Sequence, residues 1–188
     1  MSPPRPYHHG DLRPTLIGAA VETIGEGGAA AMSMREVARR AGVSHTAATY
    51  HFGDKAGLLT AVAVDGYRLL GETLAAAQEE HRSFLEVGVA YVRFAVEHRA
   101  HFEVMFHPAL YHGDEPALQD ARRATAAMLY RTADADEAQV VAGVAAWSLV
   151  HGLATLWLNG NLPSLLGDDP EAIARRVAAH LRVRAAGG

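Results

Sequence analysis

The stretch that decides the fold is Ser33–Lys55, which reads SMREVARRAGVSHTAATYHFGDK. Ser33 is a favourable helix N-cap, and the glutamate three residues later completes a capping-box pattern. Gly42 can adopt the positive φ of a sharp helix exit, so we expect the first helix to end one residue before it. Ser44 caps again, and a second helix is expected over residues 45–51. Two short helices joined by a glycine-containing turn have the spacing of a helix-turn-helix unit.

The second helix carries side chains that suit a DNA groove. Its outward face carries compact residues that can donate or accept a hydrogen bond or contact a methyl group, whereas a solvated helix more often carries Glu and Lys. A B-DNA major groove, about 12 Å wide, admits such a helix. An ordinary helical hairpin has the same spacing and is the alternative. The outward residues are His45, Thr46, Ala47, Thr49, Tyr50 and His51.

Residues 7–70 resemble the DNA-binding domain of the TetR family of bacterial transcription regulators. Four segments carry the resemblance: the opening YHHGDLR, a first helix ending near GEGG, the core SMREVARRAGVS and the junction TYHFGDKAGLL. Many members have Lys-Gly-Thr-Leu-Tyr after the serine that opens the recognition helix, whereas this chain has HTAAT at residues 45–49. Phosphate contacts made by that Lys and Tyr are therefore not carried over to this chain.

The resemblance implies a dimeric, sequence-specific DNA-binding regulator, expected to be a repressor that a small-molecule ligand releases from a palindromic operator. It implies no enzymatic activity and no cofactor. Two alternatives stay open, namely a helical interaction module of the same fold without operator binding and a His-dependent enzyme using His151 with a carboxylate. Under the resemblance, bases are contacted by His45, Thr46, Ala47 and Thr49, and phosphates by Arg35, Ser44, Tyr50, His51 and Lys55.

Composition favours an all-helical protein. The chain has 188 residues, of which 49% are hydrophobic, and alanine is abundant while alternating strand-like runs are few. The lack of cysteine excludes a disulfide scaffold and thiolate chemistry. The N-terminus has no apolar signal-peptide core. A membrane-spanning helix needs roughly 18 uninterrupted apolar residues, and the most apolar stretch, Val140–Leu158, is interrupted by His151 and two Gly. We therefore expect a cytoplasmic protein without a membrane segment.

The net charge of −4 is unevenly distributed along the chain. Residues 1–55 contain six Lys/Arg against five Asp/Glu, and residues 56–188 contain eleven against sixteen. The DNA-binding head thus has a charge of +1 and the rest −5. Because so weakly basic a head attracts DNA only modestly, dimerisation and base contacts would have to supply much of the affinity.

About nine helices are expected, divided between a DNA-binding domain at residues 7–70 and a ligand-binding and dimerisation domain at residues 71–188. A long helix capped by Asp54 joins the two domains. Gly57 and Gly66 within it have two interpretations, as points of bending or as sites of close helix packing.

The last two helices, expected to start after Asp134 and after Asp169, are where the resemblance places the dimer interface, as a four-helix bundle with the partner's pair. Apolar residues surround most of Val140–Leu158, so this helix must bury more than one face. A symmetric dimer also suits DNA, because two reading heads meet half-sites about 34–36 Å apart, or a multiple of that, on a palindrome.

A site for a small, largely apolar ligand is expected near Trp147 and His151. The segment AAWSLVHGLATL resembles the Trp-His-Gly signature of a TetR subgroup's C-terminal domain, and it would project one polar atom into an apolar cavity. Ordinary core packing is the alternative. His98 and His101 have helical spacing, but no second pair at ligand spacing accompanies them, so no metal site is expected. The candidate ligand-binding residues are Tyr91, Phe94, Phe102, Met105, Phe106, Trp147 and His151.

Overall fold

A computed structural model describes residues 12–130 and 136–185, with side chains as far as residue 179. Over these residues the chain forms nine α-helices and two 3-10 turns and contains no β-strand, which confirms the all-α prediction. The YHHGD part of the opening segment and Asp134 lie outside the described residues. The helices are α1 Leu12–Gly27, α2 Met34–Arg40, α3 His45–Phe52, α4 Lys55–His81, α5 Phe84–Glu97, α6 Arg99–Met105, α7 Pro116–Tyr130, α8 Glu137–Leu158 and α9 Pro170–Ala185.

The helix-turn-helix unit forms where its caps predict it. The Ser33 hydroxyl accepts a hydrogen bond from the Glu36 N–H at 3.3 Å, and the Ser44 hydroxyl accepts from the Ala47 N–H at 3.1 Å. Gly42 adopts a φ of +70° in the turn between α2 and α3. Because the caps and the turn residue are local signals, the sequence predicts both helix starts to the residue.

The long helix α4 connects the head to the body. Its 27 residues span about 40 Å, and it packs against α1 and α3 on the head side and against α5, α6 and α7 in the body. A Cβ atom at Gly57 would lie 2.0 Å from the Phe52 carbonyl oxygen, and one at Gly66 would lie 2.6 Å from the Met105 sulfur. Both glycines therefore serve close packing within a continuous helix. The predicted domain boundary at residue 70 falls inside α4 and stays a prediction.

The body is a layer of helices around α5, which packs against α4, α8 and α9. Helix α8 starts at an Asp136 cap, whose carboxylate accepts from the Gln139 N–H at 2.8 Å. It crosses α7 closely, because a Cβ at Gly143 would lie only 2.9 Å from the Tyr130 Cα. Asp169 caps α9 as predicted, accepting from two backbone N–H groups at 3.0 Å.

Candidate functional site

The outward face of α3 presents the side chains expected to read DNA. His45, Thr46 and Thr49 are exposed, Ala47 is half-buried, and Tyr50 is 86% exposed. The opposite face of the helix is anchored in the core by Ala48 and Phe52. An aromatic ring left this open to solvent on a rigid helix is available to a partner molecule.

Most cations of the head are engaged within the protein. Arg40 pairs with Glu26 at 2.7 Å, and Arg39 pairs with Glu36 at 2.6 Å. These guanidinium groups hold the pKa of Glu26 and of Glu36 below the usual range of a glutamate. Arg35 is exposed on α2 and forms no ion pair with any residue that the structure describes. Arg35 is therefore the arginine of α2 best placed to meet a phosphate.

Three of the predicted phosphate contacts also have structural tasks. Ser44 caps α3, and the Lys55 ammonium donates to the Ala30 carbonyl oxygen at 2.8 Å, which ties the start of α4 to the turn that follows α1. The His51 carbonyl oxygen accepts from Arg13 at 3.3 Å. Each of these three side chains remains at least partly accessible.

Arg13 is a residue that the sequence analysis missed. Its guanidinium lies 4.8 Å from the centre of the Phe52 ring and donates to the end of α3. It thereby links α1 to the reading helix through a cation–π contact and a hydrogen bond. No local pattern could have revealed this role, because the two partners are 38 residues apart.

A cavity of about 240 Å³ opens in the body between α5, α7, α8 and α9. Of the seven candidate ligand-binding residues, only Tyr91 and Trp147 line it. The side chains of the lining carry no formal charge. The lining residues are Phe84, Leu85, Val87, Gly88, Tyr91, Leu129, Ala146, Trp147, Leu149, Val150 and Ala178.

The other candidates pack behind the cavity wall. The Tyr91 hydroxyl and His151 Nδ1 are 2.9 Å apart, and the His151 ring lies against Phe102 and Phe106 at centroid distances of 5.3 and 4.5 Å. Burial lowers the pKa of His151 and raises that of Tyr91, so both groups are held neutral. Phe94 and Met105 are buried in the core. The side chain of His151 is paired with the phenol of Tyr91. Among the described residues, no carboxylate forms a hydrogen bond with His151, although the alternative of a His-dependent enzyme requires one.

Two histidines lie at the start of α6: His98 is its N-cap residue and His101 lies within the helix. His101 is buried and its Nε2 lies 3.1 Å from an Asp65 carboxylate oxygen, while the His98 ring meets the His101 ring edge to face, with 5.8 Å between ring centres. Across residues 12–130 and 136–185, no group of three or more metal-ligating side chains converges.

Two family models match the chain. The model for the Tetracyclin repressor-like C-terminal domain matches residues 84–181, and the model for bacterial regulatory proteins of the tetR family matches residues 16–62. No curated protein shows significant sequence similarity to the chain.

Solved structures give the same picture. A protein of unknown function from Rhodococcus sp. RHA1 is 30% identical, with a TM-score of 0.78 over 94% of this chain and 96% of that one. Two further structures share the fold. A bacterial regulatory protein of the tetR family from Rhodococcus RHA1 is 22% identical, with a TM-score of 0.66 over 93% of this chain and 96% of that one. NalD, the secondary repressor of the MexAB-OprM multidrug efflux pump in Pseudomonas aeruginosa, is 21% identical, with a TM-score of 0.62 over 93% of this chain and 96% of that one. The subgroup suggested by the Trp-His-Gly segment stays a prediction. With its helix-turn-helix head and its helical body both matched, the chain belongs to the TetR family of bacterial transcriptional regulators.

Proposed function

We propose that this TetR-family regulator binds an inverted-repeat operator as a homodimer and leaves it when a small, largely apolar molecule occupies the body cavity. The observation that carries the proposal is the exposed, compact polar face of α3, a helix capped by Ser44 and packed beside α2, which Ser33 caps. Such a face meets base edges in a major groove, and the exposed Arg35 and Tyr50 beside it suit phosphates.

The surface of α8 supports a dimer. Val141, Val144 and Leu156 are 60%, 40% and 44% exposed, an apolar surface that isolated soluble chains rarely leave uncovered. Among the described helices, α8 alone is long and apolar enough to cross a membrane, with a mean hydropathy of 1.6. In a DNA-binding protein of the cytoplasm, a second copy of α8 would cover this surface in a four-helix bundle.

A packed route leads from the cavity to the head. Tyr91 and Trp147 line the cavity and lie against the rings of Phe102 and Phe106, which lie at α6. The neighbouring Met105 of α6 sits on α4 at Gly66. A ligand that binds the off-DNA arrangement better than the on-DNA arrangement would shift α4 and the heads, with a coupling of about 1–3 kcal/mol.

Selection of randomised duplex DNA by the purified protein at near-physiological salt tests the operator. We expect one inverted repeat, bound by a species of twice the chain mass in light scattering. Weak binding without a consensus would favour the alternative of a helical interaction module, which the internal pairing of the head's arginines supports.

The salt dependence of binding to the selected repeat tests the phosphate contacts. Arg35→Gln should reduce the slope of log K against log salt by about 1 for each head, because one phosphate contact per head is lost. Arg123→Gln is the matched control, since this exposed arginine belongs to α7 of the body. Equal slopes for the two variants would remove Arg35 from the phosphate-binding set.

A further inference from the structure

We propose that operator binding by this regulator is coupled to proton uptake by His45 and His112, so that the operator is bound more tightly as the pH falls. The inference rests on the DNA-binding function proposed above and adds a form of regulation to it. Three observations support it: the scarcity of free arginines and lysines on the head, the exposed ring of His45 on the reading helix, and the contact of His112 with Asp54.

Permanent positive charge is scarce on the part of the head that the structure describes. Arg39 and Arg40 are paired with glutamates at 2.6 and 2.7 Å, and the Lys55 ammonium donates to a backbone carbonyl oxygen. Arg13 lies over an aromatic ring of α3. Within this part of the chain, only Arg35 has no ion pair, hydrogen bond or cation–π contact. Because cations that replace the counterions of phosphates supply much of the affinity for DNA, such a head gains from side chains that become charged on binding.

His45 brings a titratable ring to the reading helix. It is the first residue of α3 and is exposed, and its ring contacts no partner among the residues that the structure describes. An imidazole ordinarily titrates near about pH 6.5, and a nearby phosphate favours its protonated form. The protonated ring carries a charge and has two N–H donors in place of one. DNA that contacts the start of α3 therefore favours the uptake of a proton by His45.

His112 brings a second titratable ring to the start of α4, beside the predicted phosphate contact Lys55. Its Nε2 is 3.3 Å from Oδ1 of Asp54, and its side chain is 54% exposed. Its backbone N–H donates to the Thr60 hydroxyl at 3.0 Å, which holds the loop against α4. The Gly57 N–H donates to Asp54 and holds the pKa of this carboxyl below its usual range, so Asp54 is charged at neutral pH. Since a carboxylate beside a phosphate contact opposes DNA binding, both negative groups favour protonation of His112.

Among the charged and titratable groups of the surrounding elements, only Asp54 contacts either ring within the described residues. His51 lies on the same helix as His45, but the Arg13 guanidinium donates to its carbonyl oxygen, so a permanent cation already serves that end of α3. Around His45 the groups are Arg35, Glu36, Arg39 and Arg40 of α2, Tyr50 and His51 of α3, and Asp54 and Lys55 at the start of α4; around His112 they are Asp54, Lys55, Asp65, Arg68, Glu103, His107, Asp114 and Glu115.

Calorimetry on the full-length protein and the selected inverted repeat, in buffers of equal pH and different ionisation enthalpy, measures the proton uptake. We expect about one proton or more per head at neutral pH, and each proton taken up raises the binding constant by up to about 10-fold per unit fall in pH. Phosphodiester groups of DNA do not titrate in this range. His45→Gln and His112→Gln should each lower the uptake, whereas the control His81→Gln, at the far end of α4, should not.

Lysine variants separate a role in charge from a role in structure. His45→Lys and His112→Lys replace a titratable cation with a permanent one, so each should retain tight binding at slightly alkaline pH and lower the proton uptake. Helix content and melting temperature are compared for every variant. A histidine that serves only the fold would instead lose affinity in both the glutamine and the lysine variant at every pH, which would contradict the inference for that residue.

The salt dependence of binding identifies the DNA group that meets His45. A phosphate partner should make the slope of log K against log salt steeper at slightly acidic than at slightly alkaline pH, by about 1 for each head. A base-edge partner should leave the slope unchanged, and His45→Gln should then relax the consensus at one position. Both results support proton uptake by His45.

The outcomes that overturn this inference are distinct from those that contradict the proposed function. Equal affinity for the operator at slightly acidic and slightly alkaline pH, or a proton uptake that both glutamine variants leave unchanged, would overturn the inference and leave the operator proposal intact. Failure to select any consensus would contradict the proposed function itself.

Discussion

Replacing Gly57 with alanine tests the packing of the reading helix against the first turn of α4. A Cβ at this position would lie 2.0 Å from the Phe52 carbonyl oxygen, whereas ordinary contacts begin near 3.4 Å. The end of α3 or the start of α4 would therefore have to move by about 1 Å. Overpacking of this kind costs about 1–3 kcal/mol, and the better helix propensity of alanine offsets up to about 1 kcal/mol. We expect a net destabilisation of about 1–2 kcal/mol.

The assay is urea unfolding followed by circular dichroism, at one protein concentration because a dimer's stability depends on it. Gly18→Ala in α1 is the matched control, since nothing lies within 4 Å of a Cβ built there. It should stabilise the protein by about 0.5–1 kcal/mol through propensity alone. A displaced α3 should also weaken operator binding by Gly57→Ala. If Gly57→Ala were as stable as the unmodified chain while Gly18→Ala behaved as expected, the packing argument would be refuted.

Three further changes test the caps, the cavity wall and the head–body contact. Ser44→Ala removes the N-cap of α3 and should cost about 1 kcal/mol in urea unfolding; no loss would mean that water replaces the cap. Tyr91→Phe deletes the hydroxyl bonded to His151 and should cost about 1–3 kcal/mol, an effect that unchanged unfolding would contradict. Burial lowers the pKa of His101 below its ordinary value of 6.5, although its hydrogen bond to a neighbouring aspartate opposes the shift. The stability contributed by its neutral form is therefore complete above pH 6.5 and is lost as the pH falls from there towards the lowered pKa. His101→Gln should reduce the fall in melting temperature over this pH range. His81→Gln, at the exposed end of α4, is the control and should leave the fall unchanged. Identical pH profiles for both variants would contradict the assignment of the pH dependence to His101.

The head was predictable because its signals are local. The two serine caps and Gly42 each act within four residues of the chain, so their effect on α2 and α3 does not depend on the rest of the fold. The same holds for Asp169 and the start of α9. The exposed face of α3 follows in turn, because fixing the helix and its buried Ala48 and Phe52 also fixes the side that faces outward.

The body site was less predictable because it depends on distant contacts. The seven candidate residues are apolar or aromatic and have the right spacing, yet most of them pack against one another and only Tyr91 and Trp147 reach the cavity. Which of several apolar residues encloses a void depends on how four helices cross. Small residues such as Gly88 and Gly143 decide that crossing, and their neighbours are far away in the sequence.

The sequence by itself determined an all-helical chain, the position of the helix-turn-helix unit and the residues on its outward face, since capping and periodicity operate over a few residues. Only the tertiary structure decided which charges are free and where a ligand can enter. Arg40 is neutralised by Glu26 from another helix, and Arg175 by Glu86 from a segment 89 residues away. Opposite charges pair and voids form according to distance in space, which the order of residues along the chain does not contain.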